Sequence, residues 1–190
     1  MMMTFPSHDL DTAPDASKPL LEASQKAFGR LPGLHKVLAE SPQAYEAYQL
    51  LHKLFTQTAF DAEELTVVWQ SINVEHGCHY CVPAHTGIAK MMKVSDDLTQ
   101  ALRNETPLPS AKLEALRRFT VQMVRARGNV SETQMQAFFD AGYGHRAVLD
   151  VVLGLAQKTM SNYINHVAQT PVDEVFRPLA WTRSDTPLKV

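Results

Sequence analysis

The sequence predicts an all-α fold: a single-domain bundle of about eight helices over roughly residues 17–182. Three observations predict it. Capping residues recur ahead of amphipathic runs, apolar side chains return at three- and four-residue steps, and no hairpin dipeptide joins two alternating runs. The 190 residues are 45% hydrophobic and 20% charged, which supplies one substantial core and is not the composition of a disordered chain.

Residues 1–16 hold three Asp and two Pro with few large apolar groups, and are expected to form a flexible N-terminal arm; residues 183–190 read as a tail. Ser41-Pro42 is an N-cap followed by Pro at N1, ahead of the face made by Tyr45, Tyr48, Leu51 and Phe55. Asp61-Ala-Glu-Glu64 resembles a capping box, with Leu65, Val68, Trp69 and Ile72 behind it and Gly77 as the stop. A further helix is expected to start at about Cys78. Ser95 and Ser110 are N-cap candidates, the second helix ending near Gly128. Ser131-Glu-Thr-Gln134 is another capping box, closing near Gly142. From His145 a long pattern runs through Val148, Val151, Val152, Leu155, Thr159, Ile164 and Val167, with Gly154 placed for close helix contact. These stripes are read as core.

Composition excludes several functions. A net charge of −2 without a basic run gives no electrostatic reason to bind nucleic acid. No run approaches the roughly 18–20 apolar residues of a membrane span. The first residues carry neither a cationic segment nor a signal-length apolar stretch, so the cytoplasm is the expected location. Two cysteines cannot build a secreted disulfide scaffold.

Those cysteines, Cys78 and Cys81, stand in the segment Glu75-His76-Gly77-Cys78-His79-Tyr80-Cys81-Val82-Pro83-Ala84-His85. On a helix starting at Cys78, positions 78, 81 and 85 fall within about a 60° arc, so both sulfurs and the imidazole share a face. Glu75 can fold toward the same pocket. A first-turn cysteine sees the positive end of the helix dipole, an imidazole can accept its proton, a carboxylate can relay that proton, and a second thiol can resolve a sulfenic acid. Other readings compete for these residues. A zinc site could use Cys78, Cys81, His85 and one of His76 or His79, but structural zinc commonly uses two separated ligand pairs and only one cluster is present; no metal is assigned. Covalent haem needs His where Val82 stands, and a thioredoxin-type dithiol expects a preceding strand. Two inert buried cysteines would leave Glu75 and three nearby histidines unexplained. Elsewhere, His166 with Asn162 and Asn165 reads as a hydrogen-bond network bracing helices, Trp69 as core, and His79 and Tyr80 as residues that line the pocket or face outward.

The pattern Glu75-x-x-Cys78-x-x-Cys81-x-x-x-His85 is similar to the motif of alkylhydroperoxidase D-like proteins in the carboxymuconolactone decarboxylase family. Leu31-Pro32-Gly33-Leu34-His35 with Ala39-Glu40-Ser41-Pro42, and Ser161-Asn162-Tyr163-Ile164-Asn165-His166 with Thr170-Pro171-Val172-Asp173, resemble flanking regions of these proteins. The resemblance covers about residues 20–176 and implies a thiol-dependent antioxidant peroxidase. In it Cys81 attacks the hydroperoxide, Cys78 resolves, His85 relays the proton and Glu75 supplies the relay acid. The best-described members place that acid twelve residues before the first Cys, where this chain has Thr66. The resemblance further implies no bound cofactor beyond the dithiol/disulfide itself, a homo-oligomer (trimer or hexamer favoured, dimer possible), and a thiol reductant such as a lipoyl or thioredoxin-like protein. A redox-responsive or zinc-binding oligomer without turnover, and a decarboxylase-like small-molecule enzyme, are the alternatives.

Overall fold

A computed structural model describes residues 5–183; most of the expected tail, 184–190, and the first four residues of the expected arm lie outside the described residues. Among the described residues the elements are α1 (Lys18–Phe28), α2 (Gly33–Leu38), α3 (Pro42–Thr56), α4 (Ala62–Glu75), α5 (Cys81–Met91), α6 (Asp96–Arg103), α7 (Ala111–Arg125), α8 (Glu132–Asp140) and α9 (His145–Ala168), with 3-10 segments at Asp15–Ser17 and Glu174–Leu179. The fold is all-α, as the sequence predicts.

Five of these helices begin at the side chains expected to cap them. Ser41, Ser95 and Ser110 each accept the backbone N–H three residues on. Asp61–Glu64 and Ser131–Gln134 form reciprocal capping boxes, satisfying donors that a helix start leaves unpaired. α1 and α2 have no side-chain cap and start beside Pro19 and Pro32.

α4 is the pivot of the bundle. Every residue from Glu64 to Val74 is buried, and the helix packs against α5, α6, α7 and α9. One apolar core gathers Phe55, Trp69, Ile72, Leu98, Leu116 and Phe119. A second joins Leu21, Leu34, Leu38 and Tyr45 to both cysteines. The segment after α9 crosses back over α5, with Phe176 packed where a side chain on Gly87 would stand. No helix among the described residues is long and apolar enough to cross a membrane.

The long helix α9 departs from the expected stripe. Val151 is fully buried, but Val152 and Val167 are 42% and 63% exposed. Its buried face includes Gly154, Gln157, Lys158, Ser161, Asn162 and Asn165. The reason is where the helix packs: its inner face meets polar partners on α3, α4 and α5, Gln157 bonding Trp69 and His52, Lys158 bonding His85 and Asn162 bonding Asn73.

Gly154 permits this approach. A Cβ at that position would stand 2.6 Å from Phe55 and 2.9 Å from Val68. Gly154→Ala is therefore expected to destabilise the protein by about 1–3 kcal/mol through overpacking, despite alanine's better helix propensity. Chemical denaturation checks this; an unchanged or raised midpoint would refute the close-contact account.

Candidate active site

The chain reverses between α4 and α5 at Gly77, whose φ of +64° is a left-handed conformation that favours glycine. The N–H groups of Gly77 and Cys78 return to the carbonyls of Val74 and Asn73 and close α4. Helix α5 begins at Cys81, three residues later than expected, because Tyr80 takes the capping position. The Cys78 carbonyl already accepts the Val82 N–H, so Cys78 lies in the turn leading into the helix. Pro83, at the third helical position, forfeits no intrahelical bond.

Cys78 and Cys81 are free thiols and both are buried. The Cys81 N–H donates to the Cys78 sulfur at 3.2 Å, and Asn165 Nδ2 donates to the Cys81 sulfur at 3.3 Å. Burial pushes the Cys81 thiol up. The hydrogen bond from Cys78, the positive charge of Lys158, and the amides of Asn165 and Asn162 outweigh it and bring Cys81 down to about 6. Cys78 moves the opposite way: its hydrogen bond to Cys81, burial and the Cys81 charge all hold it protonated. The two thiols are thus unequal, with the thiolate at Cys81.

His85, one turn along α5, is buried with the cysteines. Burial, followed by the Lys158 charge, pushes its imidazole well below the usual range and keeps it neutral. Its Nε2 lies 2.9 Å from Lys158 Nζ. An ammonium has only donors, so Nε2 accepts and the ring proton sits on Nδ1, which has no hydrogen-bond partner among the described residues.

Cys81 and His85 line a cavity of about 380 Å³ whose surface is mostly apolar. An aromatic ladder runs beside it. Phe28, His35, Tyr48, His52, Trp69 and His85 meet ring to ring at successive centroid distances between 4.9 and 6.4 Å. Trp69 itself belongs to the core, as expected. Its Nε1–H donates to Gln157 Oε1 at 2.7 Å. The other end of that amide must therefore donate, and it reaches His52 Nδ1 at 3.0 Å. The proton of His52 is left on Nε2. His35 Nδ1 is engaged by Ser24 Oγ and Tyr45 OH. Burial lowers His35 and His52 to about 4, so both line the cavity as neutral rings.

The structure does not bring Glu75 to this group. Its carboxylate accepts from Arg125 Nε at 2.8 Å and Nη2 at 2.9 Å, and from Arg183 at 3.3 Å. It borders a separate small hollow that shares no lining residue with the Cys81 cavity. The expectation that Glu75 folds toward the dithiol is corrected here: it ends α4 on the other side of the reversal, and two arginines hold it there. Thr66 donates its hydroxyl to the Ala62 carbonyl.

The remaining expectations divide. Tyr80 lines the cavity, its hydroxyl donating to Asp173 at 2.9 Å. His79 bonds the Thr170 carbonyl and His76 bonds Asn162. Asn162 also donates to Asn73 at 3.0 Å and braces α9 against α4, while Asn165 is turned to the thiolate. Among the described residues no three His, Cys, Asp or Glu side chains are arranged to hold a metal. Sequence reasoning missed Lys158. The available signal was the spacing of Lys158, Asn162 and Asn165, which puts three polar groups on one face of α9.

No protein-family model matches the chain, and no curated protein matches it. Solved structures do. An uncharacterised peroxidase-related protein of Ralstonia eutropha JMP134, described as an alkylhydroperoxidase AhpD core, superposes with a TM-score of 0.82 at 18% identity, covering 93% of this chain and 95% of that one. The chain has the alkylhydroperoxidase D fold. A peroxidase-related protein of Silicibacter sp. TM1040 matches with a TM-score of 0.77 at 18% identity, over 92% and 93% of the two chains. The debrominase Bmp8, in a cysteine-to-alanine variant complexed with 2,3,4-tribromopyrrole, matches at 0.72 and 15% identity, over 94% and 96%. This fold thus carries more than one activity.

Two substitutions separate the side chains that act on the thiolate from the one that does not. Asn165→Ala is expected to raise the pH midpoint of Cys81 alkylation by about one unit, the loss of one hydrogen bond to a charged acceptor. Glu75→Gln is expected to leave that midpoint in place. A midpoint that moves with Glu75 and not with Asn165 would reverse this assignment.

Proposed function

We propose that the protein is a thiol-dependent reductase of organic hydroperoxides, with Cys81 as nucleophile, Cys78 as resolving thiol and His85 as the neighbouring imidazole. The observation that carries this reading is the inequality of the two thiols: a thiolate at Cys81, a protonated Cys78 within its hydrogen-bonding reach, and a mostly apolar cavity lined by Cys81. The AhpD-like neighbours support it at the level of the fold.

The Cys81 thiolate attacks the terminal peroxide oxygen. An S–O bond forms, the O–O bond breaks, and the departing alkoxide takes a proton to leave as the alcohol. Cys78 sulfur then attacks the Cys81 sulfenic acid; the S–O bond breaks, water leaves with the Cys78 proton, and a disulfide remains. An external dithiol, of the lipoyl or thioredoxin-like kind, returns two electrons. Glu75 has no step in this scheme. The apolar walls favour a hydroperoxide with a hydrocarbon or aromatic body, and the ring N–H of His52 offers a donor to an acceptor on it.

The reading includes a cytoplasmic location, where two free thiols stay reduced, and self-association. Leu149, Tyr163 and Val167 form an apolar line on the outer side of α9, each more than half exposed, as a second copy of the chain would cover.

Consumption of cumene hydroperoxide with a dithiol reductant tests the proposal. Cys81→Ser is expected to abolish turnover, and Cys78→Ser to allow one turnover that leaves a trappable sulfenic acid. Hydrogen peroxide is expected to be the poorer substrate by about tenfold or more in kcat/KM, because it forfeits the burial of its apolar part. Equal turnover in wild type and both variants would overturn the reading. A second reading, reductive dehalogenation of a small aromatic, is favoured by the aromatic ladder and by Bmp8 sharing the fold. Release of bromide from a bromopyrrole with no hydroperoxide turnover would select it.

A further inference from the structure

Lys158 stands in the middle of α9, 1% exposed. The one hydrogen bond of its Nζ among the described residues is to His85 Nε2, a neutral acceptor. Among the same residues no carboxylate pairs with it. A buried ammonium without an anion is costly, and a lysine so placed either finds a counter-charge or gives up its proton. The groups around it that can become anionic are the two thiols, and their charges are what favour the protonated amine against its burial. The other titratable groups facing it are His85 from α5 and His52 from α3, both neutral, with Tyr48 from α3 also held protonated by burial. Farther across the cavity are the neutral His35 of α2 and Asp173, whose carboxylate is taken by Arg30.

We propose that Lys158 is the counter-ion of the reactive thiol: the buried pair passes one proton from Cys81 to Lys158, and the resulting ammonium takes the role that the sequence pattern assigns to Glu75. The exchange is balanced. Cys81–SH and Lys158–NH2 become Cys81–S⁻ and Lys158–NH3⁺, and no charge enters or leaves the cavity. When the peroxide bond breaks, the ammonium is the acid that supplies the alkoxide proton, and Lys158 is left as the amine. As Cys78 attacks the sulfenic acid, the amine accepts the Cys78 proton and returns it to the leaving hydroxide as water. The disulfide state then holds neither thiolate nor ammonium, so the buried site never keeps an unpaired ion. Lys158 thus serves twice: it exchanges protons with the reacting groups, and its field and its hydrogen bond to His85 hold the thiolate and orient the imidazole.

The proposal deepens the hydroperoxide-reductase reading, but its test needs no peroxide, so either can fail alone. Lys158→Met keeps the length of the side chain and removes a buried cation, and is expected to fold with an unchanged or higher thermal midpoint. In that variant the pH midpoint of Cys81, followed by thiolate absorbance and by iodoacetamide rate, is expected to rise by about two units, with alkylation at pH 7 falling about tenfold. Lys158→Arg, which keeps the cation, is expected to restore part of the shift. A midpoint unchanged in Lys158→Met would overturn the proposal. A second measurement uses the wild-type protein. With 15N-labelled lysine, the Nζ resonance of Lys158 is expected to be that of an ammonium in the reduced protein and of a neutral amine once the disulfide forms. The same charge state in both redox forms would also overturn it.

Discussion

A thiolate buried among apolar side chains is the constraint to which the site is fitted. Cys81 is 2% exposed, so its anion is stabilised chiefly by the protein: by the Cys78 thiol, the Asn165 amide and the charge of Lys158. Each comes from a different place. Cys78 comes from the turn before α5, and Asn165 and Lys158 from two points almost two turns apart on α9. The position of α9 against α4 and α5 is therefore an electrostatic requirement as well as a packing one.

That requirement explains features that packing alone would not. Gly154 lets α9 close on Phe55 and Val68, which brings Lys158 and Asn165 to the dithiol. Gly77 turns the chain so that Cys78 precedes the helix and Cys81 opens it, at the positive end of the α5 dipole. The segment after α9 ties back through Asp173, which accepts from Arg30, Gly33 and Tyr80 and so fixes one wall of the cavity. The polar inner face of α9 is what a buried reactive anion requires.

Much of this was legible in the sequence because it is local. Capping at Ser41, Asp61, Ser95, Ser110 and Ser131 depends on residues three apart, and the sharing of one pocket by Cys81 and His85 depends on one helical turn. Glu75 was not legible. Its three-residue distance from Cys78 looks favourable, but Gly77 lies between them, and the partners that hold the carboxylate, Arg125 and Arg183, are 50 and 108 residues away. Lys158 was illegible for a related reason. Apolar periodicity treats lysine as surface, and this lysine is buried only because α3, α4 and α5 surround it. The same bias selected Val152 and Val167 as core residues of α9 when the structure exposes both. Helices α1 and α2 have no capping side chain, and no start is read for them in the sequence.

One proton-poor thiol, Cys81, lines the cavity and one proton-rich thiol, Cys78, is buried beside it, and the two can be titrated separately. Reduced protein carrying 13Cβ-labelled cysteine gives one resonance for each. The Cys81 resonance is expected to titrate with a midpoint near 6, so that the thiolate is present above that pH and lost below it, while the Cys78 resonance stays that of a thiol to about pH 10. Two resonances titrating together at the ordinary thiol value of about 8.5 would contradict the account.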